Sequence, residues 1–326
     1  MKYQIPERCI QIRSNCVIEY QIYPSPPSQK NMQRGKKSSA KFSEGSKKRM
    51  KRIADILSYS FTGQQKKFSF VTLTLSSQQK KEVDYYKLLR SLLEKTKYHF
   101  PNTKYLWKGE HQKNNNVHFH ILFTEEIEWR FIRAIWNKLQ KMHVDDYQTK
   151  QKLKYKKGYY YDTEMTDSSG QILNEEQQEK IYKRGYKANF RNPNSTDVKI
   201  VDSSTESLNS YLYKYITKTE ETEIDEIYKL KRYWGCSDEL RLLRFPILFE
   251  GDLSIEEYLS ITNSMIKTVE ENGIIRCKIY ERTLTPSIKI AEEEVKKRNI
   301  EIVKTENKPK TDSAQRIVAK YKTLFE

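Results

Sequence analysis

Glu110-His-Gln-Lys-Asn-Asn-Asn-Val-His-Phe-His-Ile121 sets three consecutive asparagines between two apolar runs, Tyr105 to Trp107 and Val117 to Phe123. Asparagine tolerates turn and left-handed conformations, so the pattern predicts a β-hairpin with a tight loop centred near Asn114. Side chains alternate along a strand, which sends His118 and His120 to one side and Phe119 to the other, toward a core. Glu110 and His118 both lie four residues from Asn114. They are therefore expected to pair across the hairpin and to share a face. Two imidazoles and a carboxylate converging in this way make a three-ligand, open-sided metal site, the form a catalytic cation needs when substrate or water must take the remaining positions. Gln112 falls on the same face and is the alternative third ligand. The plainer reading is a His-x-His pair that decorates a surface strand. The apolar residue between the histidines and the Glu at a matching distance favour the metal site.

Sixty Lys and Arg against forty-three Asp and Glu give a formal charge of +17 in 326 residues. Such an excess calls for a polyanionic partner. Nucleic acid fits better than membrane, because no apolar run reaches the roughly 18 residues of a spanning helix and nothing at Met1 resembles a signal peptide. A soluble intracellular protein is expected. Cys9, Cys16, Cys236 and Cys277 are scattered, without a Cys-x-x-Cys pair, and are expected to be free thiols.

Working outward from the hairpin, Phe68 to Leu75 is aromatic and β-branched and reads as a core strand. Val83 to Tyr98 reads as an amphipathic helix ended by Pro101. Thr124 is the expected N-cap of a second helix whose buried face runs through Ile132, Ile135, Leu139 and Met142. Upstream, Cys16 to Tyr23 is a short β-like run, and Ser28 to Arg52 holds ten basic residues and one acidic residue, Glu44. Within it, Met50, Ile53 and Leu57 mark the apolar face of a helix over residues 46–60. Residues 144–190 show no clear period but interleave seven tyrosines with lysines. They read as an insertion, either a base-stacking surface or a two-stranded ribbon with ordinary exposed tyrosines. Val198 to Val201 is a short strand, and Ser203 to Glu206 is a capping-box pattern opening the next helix. Beyond Thr219 the sequence predicts a capped helix over Ser254 to Met265, a strand over Ile274 to Tyr280, and a polar linker before a short amphipathic end.

On the helix that follows Glu206, Leu208, Leu212 and Ile216 form an apolar stripe. Tyr211 and Tyr215, four residues apart, share a face beside it with Lys214 and Lys218 next to them, while Tyr213 points away. A phenol has a pKa near 10 and needs cationic neighbours or a polarised target to attack phosphate. The plain alternative is core packing with solvated lysines.

Val71-Thr-Leu-Thr-Leu75, Glu110 with His118-Phe-His120, and Tyr211-Leu-Tyr-Lys-Tyr-Ile-Thr-Lys218 together resemble the three ordered motifs of the HUH endonuclease superfamily. The doubled tyrosine resembles the two-tyrosine rolling-circle replication initiators of small single-stranded DNA phages and some plasmids, over roughly residues 46–240. Arg232-Tyr-Trp-Gly-Cys-Ser237 is similar to a segment of such phage proteins.

The resemblance implies an α+β fold, a central antiparallel sheet with flanking helices, ferredoxin-like in outline. It divides the chain into a basic N-terminal segment (1–45), a nuclease domain (46–240, with the insertion at 144–190) and a mixed C-terminal extension (241–326). It further implies that Glu110, His118 and His120 hold Mg²⁺ or Mn²⁺, that Tyr211 or Tyr215 attacks single-stranded origin DNA assisted by Lys214 or Lys218, and that the enzyme works in a bacterial host cytoplasm. No Gly-x-x-x-x-Gly-Lys-Ser/Thr loop is present, so strand separation would fall to a host helicase. A two-tyrosine transposase or mobilisation relaxase, and a non-catalytic basic DNA-binding protein, are the competing classes.

Overall fold

The computed structural model describes residues 7–22, 43–61, 66–112, 114–167, 169–187, 192–202, 230, 232–271 and 274–305. In chain order the elements are β1 (Glu7–Ile12), β2 (Cys16–Ile22), α1 (Glu44–Phe61), β3 (Lys67–Leu73), α2 (Tyr85–His99), β4 (Tyr105–His111) and β5 (Val117–Phe123). Next come α3 (Trp129–Leu139), α4 (Lys141–Lys156), α5 (Glu175–Lys187), β6 (Thr196–Asp202), β7 (Trp234–Cys236) and α6 (Asp238–Leu242). The chain then continues through β8 (Ile247–Phe249), α7 (Ile255–Thr262), β9 (Ile266–Glu271), β10 (Ile274–Glu281) and α8 (Pro286–Thr305). The fold is α+β, with two antiparallel five-stranded sheets ordered β6-β3-β5-β4-β7 and β8-β1-β2-β10-β9.

The first sheet places β5, the strand of both histidines, at its centre. Its two faces follow from period-2 alternation in β3, β4 and β5. One face carries Phe68, Phe70, Leu106 and Leu122, which pack against Met50, Ile56, Leu57, Tyr59 and Phe61 of α1. The other carries Val71, Leu73, Trp107, Phe119, Ile121 and Phe123, covered by Leu89, Leu92 and Leu93 of α2 and by Ile132 and Trp136 of α3. Each such fully buried apolar side chain stabilises by about 1.5–3 kcal/mol relative to exposure, so both layers are firmly attached to the sheet. The helix expected from Met50, Ile53 and Leu57 is α1, with Met50 and Leu57 buried and Ile53 partly so.

α3 departs from the sequence expectation at both ends. Thr124 does not cap it: its backbone N–H donates to Lys104 O and its hydroxyl accepts from Lys104 N–H, which keeps the residue at the end of the sheet. Helix therefore begins only at Trp129, and the N-cap residue Glu128 makes no side-chain capping bond. α3 ends at Leu139 and a new helix starts at Lys141, which leaves Met142 48% exposed instead of buried.

Most of residues 144–190 is helical. The tyrosines pack on one another, Tyr155 on Tyr182 at 4.9 Å and Tyr159 on Tyr182 at 5.5 Å between ring centroids. An apolar stripe toward the sheet, the usual sequence signal of a helix, is consequently missing.

The second sheet joins the two ends of the described chain. β2 pairs with β1 and with β10, and β1 also with β8. Buried Glu19 on β2 accepts a hydrogen bond from Tyr280 Oη at 2.7 Å. The capped helix expected at Ser254 is α7, with a reciprocal Ser254–Glu257 box. All four cysteines are free. Among the described residues no helix is long and apolar enough to cross a membrane.

Candidate metal centre

The hairpin forms where the asparagines predict it. Gln112 N–H donates to Asn116 O and Asn115 N–H to Gln112 O, both at 2.9 Å. Asn115 takes φ 64°, the left-handed region that asparagine enters more readily than most residues. The register then pairs Glu110 with His118 and Lys108 with His120. On its other edge β5 meets β3, which sets Thr72 opposite His120.

The ligand atoms of Glu110, His118 and His120 all lie within 4.8 Å of one another. Glu110 Oε1 is 3.0 Å from His120 Nε2 and 4.0 Å from His118 Nδ1. His120 Nδ1 is 3.2 Å from Thr72 Oγ1, and its ring stacks on Phe70 with centroids 5.9 Å apart. The hydroxyl and the aromatic face fix the imidazole so that Nε2 points at the carboxylate, the kind of outer contact that orients a metal-binding histidine. Donors bound to one ion at about 2.0–2.2 Å stand about 3 Å apart when adjacent, so His120 and Glu110 are already at that separation and His118 needs to close by about 1 Å. One carboxylate oxygen with two imidazole nitrogens is a donor set that fits a divalent cation. Gln112 lies past the end of β4, in the turn.

A lysine shares this face. Lys108 Nζ is 3.9 Å from Glu110 Oε2, and both side chains are buried. Buried charges of this kind persist only when paired.

The loop after β3 braces the hairpin from outside. Gln79 Oε1 accepts from Val117 N–H and Asn116 Oδ1 from Gln79 N–H, both at 2.7 Å. Asn116 Nδ2 donates to Ser77 O, and Gln78 Nε2 to Asn114 O. Behind the loop stands His143, with Ser77 Oγ 2.8 Å from Nδ1 and Tyr85 Oη 3.0 Å from Nε2. Burial, and secondarily the Lys80 charge, lower the His143 pKa below the ordinary imidazole value. Sequence reasoning missed Thr72, Lys108 and His143. The first two become visible only once the strand order is known, whereas His143 carried no periodic signal.

Tyr211, Tyr215, Lys214 and Lys218, together with the capping box at Ser203, lie outside the described residues. The Arg232 to Ser237 segment supplies edge strand β7, which pairs with β4 so that Trp234 lies opposite Lys108 and Gly235 opposite Trp107. A Cβ at residue 235 would lie 2.7 Å from Trp107 Nε1, so the indole requires glycine there.

Comparison with known proteins gives one family. Residues 68–220 match the replication-associated protein ORF2 family. A search of curated proteins found no match. Among solved structures, the crystal structure of the hypothetical protein ORF119 from Sulfolobus islandicus rod-shaped virus 1 aligns at 16% identity over 53% of this chain and 99% of that one, with a TM-score of 0.25. A TM-score that low carries no weight for fold or function. The span from β3 through Lys218 is thus similar to replication-associated proteins, which supports a replication-related function and association with DNA.

Proposed function

We propose that the chain is a rolling-circle replication initiator of the two-tyrosine HUH type, which nicks single-stranded origin DNA and later rejoins it. The observation that carries this reading is the register of β4 on β5, which puts Glu110, His118 and His120 on one face with donor atoms within 4.8 Å. The family match spans both this cluster and the tyrosines. Glu110, His118 and His120 would hold Mg²⁺ or Mn²⁺. When bound, such an ion polarises the scissile phosphate and offsets the charge that builds on its oxygens.

The chain's own groups do the rest. Thr72 and Phe70 keep His120 turned toward Glu110. Tyr211 or Tyr215 attacks through its phenolic oxygen. A bond forms to phosphorus, the bond to the 3′ oxygen breaks, and that oxygen takes a proton. Lys214 or Lys218 beside the phenol favours its ionised form. The products are a 5′-phosphotyrosine link and a 3′-OH that primes synthesis. The second tyrosine, one helical turn away, then attacks the new junction and releases a closed circle without ATP. In this reading the first sheet is the nuclease sheet of residues 46–240. Residues 1–45 and 241–326 flank it, and a host helicase in the bacterial cytoplasm opens the duplex.

A specific observation favours a second reading, a non-catalytic DNA-binding protein: Lys108 already places a positive charge beside Glu110. Nicking of single-stranded oligonucleotides with Mn²⁺ separates the two. The nuclease reading expects cleavage that chelator stops and His120→Ala abolishes. Cleavage persisting in His120→Ala with chelator present, or no cleavage of any origin-containing strand, would sink it.

A further inference from the structure

A cavity of about 610 Å³ opens between α1 and β7, on the side of the first sheet that carries the metal-ligand cluster. Arg49, Arg52, Arg232, Arg241 and Arg244 line it together with Trp234. All five arginines are exposed and Trp234 is half-buried. Arg241 pairs with Asp238 at 3.1 Å, and among the described residues no ion pair links the other four to a carboxylate. Like charges concentrated this way repel one another, and an anion entering the cavity relieves that repulsion. The guanidinium fork matches phosphate oxygens, and an indole offers a face for a base.

The cavity is also in line with the cluster. Thr72, His120, Lys108 and Trp234 are successive partners across β3, β5, β4 and β7, so they form one row on one face. Two strand spacings of about 4.8 Å set Trp234 about 10 Å from His120, roughly three stacked nucleotides at about 3.4 Å each. The volume lies within the range of about 300–1,000 Å³ typical of pockets that enclose a small molecule.

We infer that this arginine cavity is a binding site for single-stranded DNA, holding the phosphates of nucleotides a few positions from the scissile bond while Trp234 stacks on one of their bases. The inference deepens the proposed nuclease reading and rests on it. It also explains why the Arg232 to Ser237 segment forms the edge strand: that placement turns Arg232 and Trp234 into a cavity wall beside the reaction centre.

The test is binding of labelled single-stranded oligonucleotides to the full chain, followed by fluorescence anisotropy in chelator so that cleavage plays no part. Arg49→Gln with Arg52→Gln removes two charges from the exposed side of α1. Lys289→Gln with Lys297→Gln, on α8, is the charge-matched control. On single strands each lost phosphate contact lowers the slope of log K against log salt by about 0.7, so the cavity pair should reduce it by about 1.4 and the control pair should not. Affinity at low salt should fall at least tenfold in the cavity pair. In addition, Trp234→Phe, which keeps a stacking ring, should bind within a few-fold of the parent but lose most of the tryptophan quenching that DNA causes. Equal slopes in cavity and control pairs, or binding confined to duplex DNA, would overturn the inference. Loss of binding in the cavity pair by a protein that never cleaves DNA would count against the nuclease reading and leave the binding site standing.

Discussion

Thr72→Val separates the metal site from the fold that carries it. Valine matches threonine in shape but lacks the hydroxyl that stands 3.2 Å from His120 Nδ1. The strand pairing, the stacking on Phe70 and the volume beneath the ring all remain. A neutral side-chain hydrogen bond contributes about 0.5–1.5 kcal/mol net, so the stability change should stay near 1 kcal/mol. The larger consequence falls on the ion: removing a partner that fixes a ligand's tautomer and orientation typically costs 10–100-fold in metal affinity, about 1.4–2.7 kcal/mol. Titration of the chain with Mn²⁺, read by calorimetry or by loss of the free-ion paramagnetic signal, gives the affinity. Urea unfolding in chelator gives the stability. The expected pattern is a Kd raised at least tenfold with a nearly unchanged unfolding midpoint. An unchanged Kd would mean that His120 is not held for a metal by this contact, and an equal loss in both measurements would make Thr72 a purely structural residue.

Gly235→Ala forces a methyl to within 2.7 Å of Trp107 Nε1 across the β4–β7 pairing, an overpacking worth about 1–3 kcal/mol. A melting temperature equal to the parent's would show that the edge strand is not held where the register places it. His143 is expected to make stability pH-dependent. Its folded pKa is lowered by burial and by Lys80. Between that value and the unfolded value near 6.5 the unfolded chain binds more protons, so stability rises with pH through this window and is lost as pH falls below about 6.5. Urea midpoints at pH 7.5 and 5.5 should differ more in the parent than in His143→Gln, and identical differences would refute this.

The hairpin was legible because its instructions are local: an asparagine able to adopt φ 64° and equal spacings on both sides fix the Glu110–His118 pairing before any distant strand is placed. Thr72 and Lys108 could not be assigned to the same row from spacing, since their positions opposite His120 depend on strand order and on a pairing between β3 and β5 that spans about fifty residues of chain. The second sheet was less legible still. Strands at 16–22 and 274–281 were each foreseeable from β-branched runs, yet nothing local to either says that Tyr20 lies opposite Cys277. The helices within 144–190 escaped notice because Tyr155, Tyr159 and Tyr182 bury against each other and erase the stripe that periodicity looks for. Thr124 misled because its hydroxyl, a good N-cap on paper, is already engaged by the Lys104 amide.

The central claim is that a tyrosine attacks DNA at the Glu110–His118–His120 face. It is tested most directly by incubating the full chain with tiled single-stranded oligonucleotides from its own genome and Mn²⁺, then mapping any covalent adduct by mass spectrometry. The account predicts an adduct on Tyr215 or Tyr211 that is absent in chelator and in the Tyr211→Phe, Tyr215→Phe double variant, and nearly undiminished in Tyr213→Phe. An adduct on Tyr213, or one of full strength in the double variant, would contradict it.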